Sequence, residues 1–474
     1  MPDAPLGAVV RQLPDDTLLA FISDTHIGGE PGTDIFDSAG GLSALIRELG
    51  ATSDAVELVL AGDFLDLLRM GRAGEGAEHV AAILRTSRYA ELFDALREFA
   101  RSPRHRVTYV IGNHDVEVWW NADVRRTLVD AGLVHDFALS YRASFAGHPD
   151  QVVYCEHGNQ FDPTNAIHDY TDPLDTPLGA HIVEDVVRPI GTGITVTKRV
   201  DLREVNFVFP LAAIPQWIAG RVFYHGLSHV LRWLVAPLLV ALVAQTVVMV
   251  SRSDDPGPTL SAGPLLLGVA YDLAVLLMGL VVLGVIGKRI ADNVVDALAQ
   301  RVPYEAAEGT AAEMRIRALL GGDRTPPLAG DLPGSRIAVF VSGHTHEATL
   351  TEVGLPDGRV AVVANTGCWL RQLQPVPARF GAPTVFVPVF AQHHVRVRAG
   401  RHGPVAELWE TPRPAENRRL PLLERVAVLG RMPGREHGEG PPRLVATGTA
   451  AARGRAPALP QRAEAVSRRT RRQR

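Results

Sequence analysis

Five short stretches carry residue types that hold divalent metals. They are Ser23-Asp24-Thr25-His26, Gly62-Asp63-Phe64-Leu65-Asp66, Gly112-Asn113-His114-Asp115, the single His157 before Gly158-Asn159, and Gly343-His344-Thr345-His346. Together they offer Asp24, Asp63 and Asp115, Asn113, and His26, His114, His157, His344 and His346. Carboxylate mixed with imidazole suits Mn, Fe, Zn or Ni rather than Ca²⁺. With His114 and Asp115 held back for other roles, seven candidate ligands remain. That is too many for one ion and suits two ions about 3.5–4 Å apart, bridged by one carboxylate.

Each stretch directly follows an apolar run that reads as a buried strand: Leu18–Ile22, Val56–Ala61, Val107–Ile111, Val152–Glu156 and Arg336–Val341. Ligands in α/β sheets gather at the carboxyl ends of strands. Gly62 permits a tight turn that presents Asp63. Helical patterns over 39–49 and 76–101 separate the first three runs, which points to a layered α/β architecture. Residues 360–364, 384–390 and 405–409 read as further strands. Val205–Ile218 is apolar and aromatic and reads as a cap or membrane-proximal element.

The five blocks, in this order and at strand ends, resemble the calcineurin-like metallophosphoesterase superfamily over roughly residues 17–160 and 335–410. The resemblance implies a four-layer α/β/β/α sandwich. It assigns Asp24, His26 and His346 to one ion, Asn113, His157 and His344 to the other, and Asp63 to the bridge. His114 would assist departure of the leaving oxygen, oriented by Asp115. The implied chemistry is hydrolysis of a phosphomonoester, phosphodiester or pyrophosphate: two cations lower the pKa of a shared water, and hydroxide attacks phosphorus in line. The nearest functional analogy is the UDP-2,3-diacylglucosamine pyrophosphohydrolase branch, which carries Arg where His114 stands. Asp162, Asn165, His168 and His181 either contact substrate or cap loops.

The chain has 474 residues, a net charge of -4 and 46% hydrophobic residues. The charge gives no drive toward nucleic acid. The apolar content calls for a membrane search. Trp233–Val250 is uncharged, and Pro264–Gly287 holds one charge, Asp272. Each is long enough for a ~30 Å hydrocarbon core. They read as a transmembrane helical hairpin, with both flanks and the catalytic domain cytoplasmic by the positive-inside rule. A membrane location makes a lipid-linked phosphoester a candidate substrate beside small molecules. Residues 1–16 lack the apolar core of a signal peptide. Cys155 and Cys368 are the only cysteines and fit a reduced compartment.

The expected organisation is therefore a discontinuous catalytic domain over 1–160 and 335–411. Between its halves come a cap or membrane-proximal insertion (161–225), the hairpin (226–290), and a helical return with a Pro/Gly linker (291–334). Residues 412–474 are Arg- and Pro-rich and read as a disordered tail. A membrane scaffold that binds without turnover is the competing function.

Overall fold

The structure is a computed structural model. It describes residues 7–28, 34–52, 54–71, 74–182, 203–208, 213–251, 308–322, 325–379, 381–390, 392–411, 420–429 and 441–451, with single residues elsewhere. Two sheets stack face to face. The first holds β2 (Leu18–Ile22), β3 (Val56–Ala61), β4 (His105–Val110), β5 (Asp136–Ala138), β13 (Gln392–Ala399), β14 (Pro404–Thr411) and β15 (Arg443–Thr449), in the order β15-β14-β13-β2-β3-β4-β5. The second holds β1 (Ala8–Leu13), β6 (Ser140–Phe145), β7 (His148–Cys155), β8 (Ile337–Ser342), β9 (Thr349–Gly354) and β10 (Val360–Asn365), in the order β1-β6-β7-β8-β10-β9. Strands β2 to β5 run parallel, as do β7, β8 and β10. A two-stranded ribbon, β11 (Gln372–Val376) with β12 (Val385–Val389), stands apart from both sheets.

The apolar runs are continuous because both faces of these strands are covered. Side chains alternate across the sheet. Leu18, Ala20 and Ile22 face the helices, while Leu19 and Phe21 face the other sheet. In β3, Val56, Leu58 and Leu60 face the helices, and Val59 and Ala61 face inward. The inward set meets Tyr141, Phe145, Val153, Val339, Val341 and Val362 of the second sheet. Helices α1 (Ala39–Gly50), α2 (Gly76–Arg85), α3 (Ala90–Arg101), α4 (Glu117–Trp120) and α5 (Ala122–Asp130) lie on the outer face of the first sheet. Short α6 (Leu178–Ile182) and long α7 (Ile214–Ser251) follow. Helix α8 (Glu308–Leu320) covers the outer face of the second sheet through Ile316, Leu319 and Leu320. Helix α9 (Leu422–Ala427) completes the set among the described residues. Helices on both outer faces of paired sheets make the α/β/β/α arrangement.

Three sequence expectations need correction. The helical pattern over 76–101 is two helices. Thr86 is extended, at φ -71° and ψ 115°, and ends α2; Tyr89 then turns inward against Phe36 and Phe93. The Pro/Gly stretch 325–334 is packed rather than a free linker. Ala329 and Leu332 are buried, Ser140 Oγ donates to Leu328 O at 2.7 Å, and Arg142 donates to Ala329 O. The expected tail contains α9 and β15; Trp409 and Leu408 of β14 pair with Leu444 and Ala446. Composition marks residues 412–474 as unable to build a core alone, yet β15 needs only an open sheet edge to pair with.

The hairpin expectation falls largely outside the described residues. Among the described residues no helix is long and apolar enough to cross a membrane. Helix α7 takes in the first expected span but begins at Ile214, and its first turns are docked on protein. Trp217 is fully buried with Val205, Val208, Leu373 and Phe386, and Tyr224 Oη donates to Pro383 O at 2.6 Å. Most of the second span, 264–287, lies outside the described residues, as do most of 291–307.

Ending the chain at residue 440 removes the β14–β15 ladder. The expected result is a lower midpoint of thermal unfolding, by about 2–4 °C per kcal/mol lost. Scanning calorimetry against a chain ending at 451 measures it; equal midpoints would restore the disordered-tail reading.

Candidate metal centre

Strands β2, β3, β4, β7 and β8 end at one edge of the sandwich, and the candidate residues occupy the loops that leave them. Among the described residues, five that are not glycine have positive φ: Asp24 (52°), His26 (47°), Asp63 (50°), His344 (67°) and His346 (59°). All five are candidate ligands. Left-handed backbone costs an L-residue about 1–2 kcal/mol and clusters where function demands it. It turns each chain sharply off its strand, so residues two apart, Asp24 with His26 and His344 with His346, aim at one cavity.

The motif glycines make room for this. A Cβ at Gly62 would fall on the His157 ring, one at Gly112 on the Asp63 carboxylate, and one at Gly343 on Ser23 and Asp24. Backbone bonds then lace the loops together. Asp24 N donates to Gly62 O (3.1 Å), His26 N to Asp63 O (2.9 Å), Gly343 N to His157 O (2.8 Å) and Trp369 N to Asp24 O (3.1 Å).

Three overlapping donor groups result: Asp24, His26 and His346; Asp63, His157 and His344; and His26, Asp63 and His114. Each offers ligand atoms within 4.8 Å of one another. In the first, His26 Nε2 and His346 Nε2 are 3.2 Å apart, and His346 Nε2 is 3.2 Å from Asp24 Oδ1. In the second, His157 Nε2 is 3.2 Å from Asp63 Oδ2, and Asn113 Oδ1 is 3.1 Å from His344 Nδ1. Ligands about 2.1 Å from a common ion sit roughly 3.0–3.4 Å apart, so the spacing fits metal at both. Asp63 Oδ2 is also 3.8 Å from His26 Nε2, which puts this carboxylate between the groups. Asp24 Oδ1 and His157 Nε2 are buried and make no well-formed hydrogen bond; each faces another ligand-type atom at 3.2 Å. Buried polar atoms normally have one, and a cation would satisfy both.

The electrostatics agree. Burial opposes ionisation of Asp63, but His157, His114 and His26 overcome it and hold the carboxyl well below its usual range. Burial opposes charge on His157 too, yet Asp63 and Asp24 push it up to about 10. Carboxylates and imidazoles therefore share protons where ions would supply the positive charge.

His114 and Asp115 are not oriented as expected. Asp115 accepts from Phe64 N (2.9 Å), Tyr109 Oη (2.6 Å) and Gly112 N (2.6 Å) and braces the loops from below. Burial, then the Asp63 charge, pushes it up to about 7. Asp66 takes the orienting position: its Oδ1 lies 3.0 Å from His114 Nδ1, and its Oδ2 is ion-paired with Arg69, 2.9 Å from Nε, and lies 3.4 Å from His26 Nδ1. The signal for it was present in Gly-Asp-Phe-Leu-Asp, whose second Asp had been given no role. Of the loop candidates, Asp162 reaches the site, with Oδ2 3.0 Å from His344 Nε2, and Asn165 braces Asp162 (2.6 Å). His168 pairs with Asp175 and His181 with Thr176, outside the donor groups.

The family model for calcineurin-like phosphoesterases matches residues 17–236. Residues 17–236 are similar to that family's domain. Among curated proteins no sequence matches it. The matched stretch holds the first four blocks; His344 and His346 lie beyond it, and the fold brings them to the same cavity.

Gly112→Ala places a methyl on the Asp63 carboxylate and its backbone nitrogen. The expected result is loss of bound metal, measured by elemental analysis of the purified protein, with the circular dichroism spectrum retained. Full metal content would show that the loop has room to spare.

Proposed function

We propose that the domain hydrolyses a phosphoester using two divalent ions drawn from Mn, Fe, Zn and Ni. One would be held by Asp24, His26 and His346, the other by Asn113, His157 and His344, with Asp63 shared. The observation that carries this is the convergence of five left-handed residues on one cavity in which Asp24 Oδ1 and His157 Nε2 are buried without a well-formed hydrogen bond. Ions held there supply hydroxide at neutral pH and neutralise charge on phosphoryl oxygens. The chain's own residues do the rest. His114 Nδ1 bonds to Asp66, so the other ring nitrogen is free to give a proton to the departing oxygen. Burial works against the charged ring, but Asp66 and Asp63 raise its pKa and keep it an acid. Asp66 is in turn held by Arg69, which fixes the angle of the His114 ring.

The substrate class extends from small phosphomonoesters, phosphodiesters and pyrophosphates to lipid-linked ones. A membrane location supports the lipid end of that range, with the catalytic domain on the cytoplasmic side. Its support is apolar surface: Trp233, Val240, Val243 and Val247 of α7 are exposed at helical spacing, as are Leu267, Tyr271, Met278 and Val282. Exposed apolar patches of this kind mark protein or membrane contacts.

A chromogenic phosphodiester with Mn²⁺ tests the activity. Asp63→Ala should abolish turnover, and His114→Ala should lower it by about 10²–10⁴-fold. Equal background for wild type and both variants would leave the scaffold reading in its place. For the location, the full chain should pellet with membranes and resist a high-salt wash; recovery in the detergent-free supernatant would refute it.

A further inference from the structure

The loop after β7 supplies a carboxylate that the ligand set leaves out. Asn159–Phe161 forms a single 3₁₀ turn after His157, and Asp162 follows it, buried. Its Oδ1 accepts from Thr164 N (2.9 Å) and Thr164 Oγ1 (2.7 Å), and its Oδ2 accepts from Asn165 Nδ2 (2.6 Å). Three donors thus fix the carboxylate before any imidazole is counted. The turn itself is pinned from two sides: Phe161 packs edge-on against Phe340 of β8, the strand that carries His344, and Phe161 O accepts from Arg315 of α8. The fixed carboxylate meets His344 Nε2 at 3.0 Å.

We propose that Asp162 is a positioning residue for the second metal site, selecting the His344 tautomer whose bare Nδ1 faces the ion. This rests on the dimetal reading above. An ionised carboxylate only accepts hydrogen bonds, so His344 Nε2 must carry the hydrogen. In the neutral ring Nδ1 then keeps its lone pair. Nδ1 lies 3.1 Å from Asn113 Oδ1, which is also an acceptor. A cation between them or beside both would satisfy the two lone pairs. The opposite tautomer would put a hydrogen into the metal cavity and leave Nε2 and Asp162 in repulsion. Carboxylate–imidazole–metal relays of this kind fix ring orientation and raise ligand basicity. The first site is arranged differently. Asp66 Oδ2 lies beside His26 Nδ1 at 3.4 Å, while His346 meets Asp24 through Nε2 and, among the described residues, has no carboxylate on its other ring nitrogen. Asp162 should therefore act on one site only.

The test is a calorimetric titration of metal-free full-length protein with Mn²⁺, with electron paramagnetic resonance reporting spin-coupled pairs. Wild type should take up two ions. Asp162→Ala should weaken one of them by about 10–100-fold, leave the other unchanged, and replace the coupled signal by that of isolated Mn²⁺ at one equivalent. Asp162→Asn keeps an acceptor oxygen and should recover most of the affinity. On a His344→Ala background, Asp162→Ala should add no further loss. Unchanged affinities in Asp162→Ala, or equal weakening of both sites with a lowered unfolding midpoint, would overturn the proposal. Uptake of fewer than two ions by wild type would instead overturn the dimetal reading itself.

Discussion

The whole site depends on turning the ends of β2, β3 and β8 sharply enough to bring their polar side chains into one cavity with those that follow β4 and β7. The price is left-handed backbone at Asp24, His26, Asp63, His344 and His346, roughly 1 kcal/mol or more for each. That strain is sustained because the turns sit on strands buried on both faces, between the helices and the second sheet. It also explains the motif glycines. Gly62, Gly112 and Gly343 are where one loop's backbone passes within a methyl's width of another loop's ligand.

The ligands are then held by a layer of groups that never need to touch an ion. Ser23 and the N–H of His344 bond Asp24, the N–H of His114 bonds Asp63 (2.8 Å), and Ala61 O holds His157 Nδ1 (3.0 Å), leaving its Nε2 for the cavity. Asn365, the last residue of β10, and Thr366 just past it tie Ser23 to the Gly343 turn. Asp66 and Asp162 stand at opposite ends of this layer, one behind His114 and one behind His344. Each pairs a histidine with a carboxylate that is itself fixed, so ring orientation is settled before substrate or metal arrives.

The insertion between His157 and His344 is built into this frame at its near ends. Arg371 follows the Trp369 turn that bonds Asp24, and it stacks on Phe207 and lies 3.6 Å from Glu204. Arg221 of α7 also pairs with Glu204 and reaches Glu424 of α9. Helix α8 grips the Asp162 turn through Arg315. The segment therefore leaves and rejoins the domain through contacts that continue into the catalytic loops.

The sequence by itself determined the strand ends, the residue types at them and the metal chemistry. These are local: an apolar run buried on both faces must be followed by a turn, and Gly-Asp, Gly-Asn-His and Gly-His-X-His are short enough to read directly. It did not determine which carboxylate orients His114. Asp115 is adjacent in the chain, but adjacent residues at a turn point apart, and Asp66 from the neighbouring strand end meets the ring instead. Nor did it show β15, whose Arg- and Pro-rich surroundings signal no core. A sheet edge can recruit such a segment because the ladder hydrogen bonds depend on the partner strand rather than on composition. The role of Asp162 was equally hidden: a loop Asp and a histidine far along the chain become a pair only when β7 and β8 lie side by side.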